Sequence, residues 1–156
     1  MRAVVQRVRR ARVTVEDNRV TGAIGPGLCV LVSVGPGDTE AIADHLAARV
    51  AGLRIMSDEA GHMNIDVTRS GGAVLVVSQF TLHADTSRGH RPSFIRAAPP
   101  QQARALYERF AKALRGLGLV VATGEFGAMM RVEIENDGPV TLVLSSGEPD
   151  WAADAG

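Results

Sequence analysis

Cysteine is almost absent. Cys29 stands alone inside the apolar run Leu28-Cys29-Val30-Leu31-Val32, so no disulfide can form within the chain. A single thiol in such a run reads as a small buried hydrophobe rather than a catalytic nucleophile. Neither sign of charge is in excess: 17 Lys+Arg balance 17 Asp+Glu, which excludes a polybasic nucleic-acid binder as a whole. No apolar run approaches the roughly 20 residues that span a bilayer. The opening Met1-Arg2-Ala3-Val4-Val5-Gln6-Arg7 lacks the apolar block and small-residue cleavage site of a secretory signal. A soluble, cytoplasmic protein with no membrane association is the expectation.

The common catalytic signatures are missing too. The 4 histidines, His45, His62, His83 and His90, have no metal-ligand spacing among themselves or with Cys29. Gly35-Pro36-Gly37-Asp38 lacks the lysine of a phosphate-binding loop. There is no Gly-x-Ser-x-Gly elbow, and nothing marks Asp66 or Asp85 as one of a catalytic acid pair. No metal or organic cofactor is expected. A hydrolase built on this chain would lack the usual activated side-chain nucleophile.

What is present is an ordinary globular balance. The 156 residues are 46% hydrophobic and 22% charged, enough for one domain with a real core. Alternation from Arg2 to Val8 predicts a strand. Val13-Thr14-Val15 and Arg19-Val20-Thr21 flank Glu16-Asp17-Asn18 as a hairpin, and Gly25-Pro26-Gly27 reads as a second turn. Leu28 to Val34 is apolar throughout, which predicts a central strand. Asp38 or Thr39 caps a helix whose stripe is Ile42, Leu46, Val50 and Leu53, with His45 beside it. Arg54-Ile55-Met56 reads as a short strand, residues 57–70 as a loop or irregular hairpin, and Ala73 to Val77 as a second buried strand. A second helix is expected over 100–115, with Ala103, Leu106, Tyr107, Phe110, Ala113 and Leu114 inward. Strands over 119–122, 129–135 and 140–144 close the chain. The pattern predicts an α/β single domain: a curved, barrel-like, mostly antiparallel sheet with an antiparallel meander at each end and two packed helices. Residues 1–146 form this domain, and 147–156 read as a flexible tail.

Three segments could carry chemistry. In Ser78-Gln79-Phe80-Thr81, polar residues follow a buried strand abruptly. They either end the strand and cap a turn, or present hydroxyls, an amide and freed backbone N–H groups to a pocket. Asn136-Asp137-Gly138-Pro139-Val140-Thr141 reads first as a hairpin turn. Its Gly-Pro bond could also be cis, at about 0.5–1 kcal/mol, and would then turn successive carbonyls the same way. Arg88-Gly89-His90-Arg91-Pro92-Ser93-Phe94 is either a solvated loop or a surface for RNA phosphates and a terminal base. A second arginine cluster, Arg2, Arg7, Arg9, Arg10, Arg12 and Arg19, has the same two readings.

Ser78-Gln79-Phe80-Thr81-Leu82 and Asn136-Asp137-Gly138-Pro139-Val140-Thr141 resemble the two signature motifs of the D-aminoacyl-tRNA deacylases of the bacterial and eukaryotic type. Val5-Gln6-Arg7-Val8, Val13-Thr14-Val15, Arg54-Ile55, Ser57-Asp58, Met63-Asn64 and Arg88-Gly89 with Arg91-Pro92-Ser93-Phe94 follow the same pattern, in order, over about residues 1 to 145. The resemblance implies a homodimeric hydrolase. It would cleave the ester of D-aminoacyl-tRNA, and of glycyl-tRNA mischarged on tRNA-Ala, as a proofreading step in translation. By the same resemblance, Gly138 and Pro139, joined by a cis bond, enter the partner's pocket and exclude L-amino acids, with Arg7 propping them. Ser78, Gln79, Phe80 and Thr81 line the catalytic pocket, and Met130 contacts the terminal adenosine. Thr81 is the nucleophile candidate by residue type, set against attack by water aided by the ribose 2′-hydroxyl. Two other readings stay open from the residues: an RNA-binding module without catalysis, and a small-molecule esterase using Thr81 or Ser78.

Overall fold

The computed structural model describes residues 1–146, so the tail expected at 147–156 lies outside the described residues. The elements in chain order are β1 (Arg2–Val15), β2 (Val20–Ile24), β3 (Gly27–Ser33), α1 (Glu40–Ala51), β4 (Met56–Ser57), β5 (Met63–Ile65), β6 (Ala73–Ser78), a 3-10 turn (Phe80–His83), α2 (Pro100–Gly116), β7 (Val121–Thr123) and β8 (Met130–Ser145). The β1–β2 hairpin turns at Asn18, whose φ of 60° is the left-handed region that asparagine tolerates. Thr39 caps α1 by accepting from Ile42 N at 3.3 Å. Pro100 opens α2, where its missing N–H costs no helical bond.

The sheet runs β2-β1-β3-β6-β7, with β8 on the other edge of β1. β1 pairs antiparallel with β2, β3 and β8, while β6 pairs parallel with both β3 and β7. The sheet curls into a nearly closed barrel. Gly22 of β2 lies so close to β7 that a Cβ there would stand 2.4 Å from Thr123 O.

Apolar runs in β3 and β6 are explained by burial on both faces. Leu28, Val30, Val32, Val74 and Val76 meet α1 and α2 through Leu46, Val50, Phe110 and Leu114. Cys29, Leu75 and Val77 instead fill the barrel with Val8, Ala11, Val13 and Ile24. Each fully buried large side chain contributes about 1.5–3 kcal/mol. Across the helix pair, Arg109 grips both carboxylate oxygens of Asp44 at 2.7 and 2.6 Å and holds that carboxyl below its ordinary range.

Several expectations need correcting. Residues 136–141 are not a hairpin turn. β8 is one strand from Met130 to Ser145, and both its halves pair with β1. The register passes from Val8↔Asn136 to Gln6↔Thr141, so the intervening residues form a bulge on an otherwise continuous ladder. The C-terminal meander is also absent: β7 joins β6 in parallel, and β8 returns to β1. The short strand after α1 is Met56–Ser57, one step later than the apolar residues suggest, and Leu53 lies beyond the α1 cap at Gly52.

Candidate active site

β6 ends at Ser78, level with Val32 of β3. The last ladder bond runs from Gln79 N to Val32 O at 2.7 Å. The chain then folds into the 3-10 turn, held by Leu82 N to Gln79 O at 3.2 Å and Ala84 N to Thr81 O at 3.1 Å. The N–H groups of Phe80 and Thr81 open this turn, where helical geometry leaves donors unused. They have no hydrogen-bond acceptor among the described residues. Gln79 Nε2 donates to Thr81 Oγ1. Thr81 and Phe80 are exposed, and Phe80 meets Phe94 edge to face at 5.1 Å.

A cavity of about 510 Å³ opens beside the turn. Ser78, Gln79 and Phe80 line one side, and Phe94, Tyr107 and Phe126 with Gly127 and Pro99 line the rest. Tyr107 donates its hydroxyl to Val76 O at 3.0 Å, and burial pushes it up to about 12, so it stays neutral. Behind the turn, Ser33 and His83 form a buried polar pair, with Ser33 Oγ 2.5 Å from His83 Nδ1 and 3.3 Å from Phe80 O. Arg2 Nη1 donates to Leu82 O at 2.9 Å.

Gly138 and Pro139 sit elsewhere, exposed at the β8 bulge, and their peptide bond is cis. Arg7 donates from Nε to Asp137 O at 3.1 Å and from Nη1 to Ile55 O at 2.8 Å. Asn136 Nδ2 bridges Arg7 O and Val140 O at 3.0 and 3.1 Å, which pins both ends of the bulge. β8 and β6 are separated by β1 and β3. Three strand spacings of about 4.8 Å, with a lag of four residues at about 3.3 Å each, put the motifs roughly 20 Å apart along the sheet. That lag follows from the register Arg7↔Leu28↔Val74, four positions before Ser78. Met130 is also outside the cavity: it pairs with Val15 and packs at Gly124, where a Cβ would stand 2.7 Å from its sulfur.

The two arginine clusters separate clearly. Arg10 and Arg12 pair with Glu135 and Glu133, each at 2.6 Å, Arg9 lies 3.5 Å from Asp137, and Arg19 lies 3.2 Å from Glu125. The first cluster is therefore largely a solvated, charge-neutral strip between strands, not an open phosphate surface. In the second, Asp85 and Ser93 exchange backbone bonds at 2.7 and 2.9 Å and tie the base of the loop. Ser87 donates twice to Asp85 and holds its carboxyl below the ordinary range, helped by Arg96 and Arg88. Arg88, His90 and Arg91 are exposed at the loop tip, and Arg88 and Arg91 form no ion pair among the described residues.

Sequence patterning missed Phe126 and Gly127 as cavity residues. Their signal is an aromatic residue set among glycines, Gly124-Glu125-Phe126-Gly127, ahead of a strand. It also missed the Ser33–His83 pair, which has no spacing signature.

With this geometry in place, similarity to known proteins is informative. Residues 4–145 match the family described as D-Tyr-tRNA(Tyr) deacylase. The chain is 58% identical over 146 residues to the D-aminoacyl-tRNA deacylase of Symbiobacterium thermophilum, covering 94% of this chain and 96% of that one. It is 60% identical over 148 residues to the corresponding protein of Paracoccus denitrificans, covering 95% and 99%. Among solved structures it is similar to the c-Myc DNA Unwinding Element Binding Protein, with TM-score 0.88, 41% identity and coverage of 95% and 100%. A probable eukaryotic D-amino acid tRNA deacylase, at TM-score 0.80, 16% identity and coverage of 92% and 97%, shares the fold.

Proposed function

The chain belongs to the D-aminoacyl-tRNA deacylase family, and we propose how its residues perform the hydrolysis of D-aminoacyl-tRNA that this membership assigns to it. The observation that carries the proposal is the pair of open amides, Phe80 N–H and Thr81 N–H, in the turn that runs on from the cavity wall at Ser78, Gln79 and Phe80.

The ester carbonyl oxygen lies between these two donors. Water, positioned with help from the terminal ribose 2′-hydroxyl, bonds to the carbonyl carbon and gives up a proton. The resulting oxyanion is held by the two N–H groups, whose dipoles are fixed before the reaction begins. Collapse breaks the bond to the ribose oxygen, which takes a proton, and a free D-amino acid and tRNA leave. An aminoacyl ester is already activated, so positioning and oxyanion stabilisation suffice. Thr81 is a poor nucleophile here. Its oxygen accepts from Gln79 Nε2, and no carboxylate or imidazole is bonded to it among the described residues. The apolar walls of Phe80, Phe94 and Phe126 suit a nucleobase at the tRNA end. The exposed Arg88 and Arg91 suit its phosphates. The cytoplasm, where tRNA is charged, is the compartment this substrate requires.

Chirality is screened by Gly138 and Pro139 from a second copy of the chain. Their separation from the Ser78–Thr81 turn within one chain supports an arrangement across a twofold. A side-chain-free backbone facing the substrate α-carbon leaves no room for an L side chain and accepts a D side chain or glycine, so discrimination comes from exclusion. Glycyl-tRNA is therefore a second substrate. Arg7, bonded to the bulge at Asp137 O and to Ile55 O outside β8, holds the screen in place.

Incubation of D-tyrosyl-tRNA with substoichiometric protein tests the reading. Many turnovers, releasing D-tyrosine and intact tRNA, are expected. Release limited to one equivalent per protein would instead favour a binding module.

A further inference from the structure

We propose that Ser33 and His83 are positioning residues for this hydrolysis: a buried relay from the His83 ring through the Ser33 hydroxyl anchors the Phe80–Thr81 peptide and aims its N–H at the ester oxygen. The proposal rests on the deacylase reading and adds two side chains to its machinery.

The argument begins with the peptide itself. Phe80 O and Thr81 N–H belong to one planar, trans unit, so they point in opposite directions. Ser33 Oγ lies 3.3 Å from Phe80 O on the interior side, and Ser33 is only 2% exposed. Fixing the carbonyl inward fixes the Thr81 N–H outward, on the exposed side of the turn. A carbonyl that accepts a hydrogen bond also polarises its own N–H into a stronger donor.

A serine hydroxyl has one proton to give. For that proton to reach Phe80 O, the ring nitrogen 2.5 Å from Ser33 Oγ, His83 Nδ1, must carry a hydrogen and donate it to Oγ. His83 is 2% exposed and closes the same 3-10 turn whose first two amides are open. The turn is thereby tied at both ends to the final residue of β3. Ser33 itself is set by the parallel ladder that brings Val32 level with Ser78. The anchor thus sits on rigid strands while the donors it aims sit in a short turn. Ser33 also borders the cavity, but its hydroxyl is turned to Phe80 O and His83, so its part is positioning.

Two measurements decide the proposal. In the unaltered protein, long-range 1H–15N correlation of the His83 ring should show a protonated Nδ1. A bare Nδ1 overturns the relay, whatever the chain's activity. In kinetics on D-tyrosyl-tRNA, Ser33→Ala should lower kcat about tenfold, less than outright loss of an oxyanion donor, with KM within about twofold. Ser33→Thr, which keeps a hydroxyl, should recover most of kcat, and His83→Ala added to Ser33→Ala should lower it little further. Unchanged kcat in Ser33→Ala, or Ser33→Thr as slow as Ser33→Ala, overturns the positioning role. An inactive wild-type protein would defeat the deacylase reading instead, and the ring spectrum would still decide the relay.

Discussion

Thr81 offers an exposed hydroxyl one residue past the cavity-lining Phe80, yet the side chain bonded to it, Gln79, donates to it. Removing the hydroxyl leaves both backbone donors in place. Thr81→Ala should therefore keep kcat within about threefold of wild type, because the proposed mechanism places transition-state stabilisation in the main chain. A loss of a thousandfold or more in a deacylation assay would restore Thr81 as nucleophile. At this scale the first motif was legible: Ser78 and Gln79 interrupt an apolar strand with polar groups, a local contrast that any reader of the chain can see. His83 and Ser33 were not, because a histidine in a loop and a serine at a strand end form a pair only after β3 and β6 align in parallel. Cys29 was read correctly as a small buried hydrophobe, and burial pushes its thiol up to about 12.

Helices were legible because their apolar spacing is periodic and their ends carry Thr39 and Pro100. The strands β3 and β6 were legible as unbroken apolar runs. β8 was not. Asn-Asp-Gly-Pro has the composition of a reverse turn, but pairing with the long strand β1 on both sides of it overrides that local preference and leaves a bulge. Barrel closure was equally hidden, because it depends on a glycine facing a distant strand. Gly22→Val should push β2 off β7 and cost about 1–3 kcal/mol by overpacking. Chemical denaturation reads this directly, and an unchanged midpoint would mean that the β2–β7 contact is not close.

Taken whole, one protomer keeps its two signature motifs roughly 20 Å apart on the sheet. A twofold assembly would bring them together, and subunit mixing tests it. Phe80→Pro removes one of the two proposed oxyanion donors, and Gly138→Val fills the proposed screen. Refolded together, the two inactive chains should regain about a quarter of wild-type activity, since half the dimers would be mixed and each would hold one intact site. No recovery would place both motifs in service of a single chain. Zero net charge did not preclude a tRNA substrate: Arg9, Arg10 and Arg12 are paired with β8 carboxylates and Arg19 with Glu125, whereas Arg88 and Arg91 form no ion pair among the described residues. The most direct test of the central claim compares D-tyrosyl-tRNA and L-tyrosyl-tRNA at one enzyme concentration. Cleavage of the D form at least about 100-fold faster than the L form is expected from exclusion at Gly138 and Pro139. Equal rates for the two would contradict it.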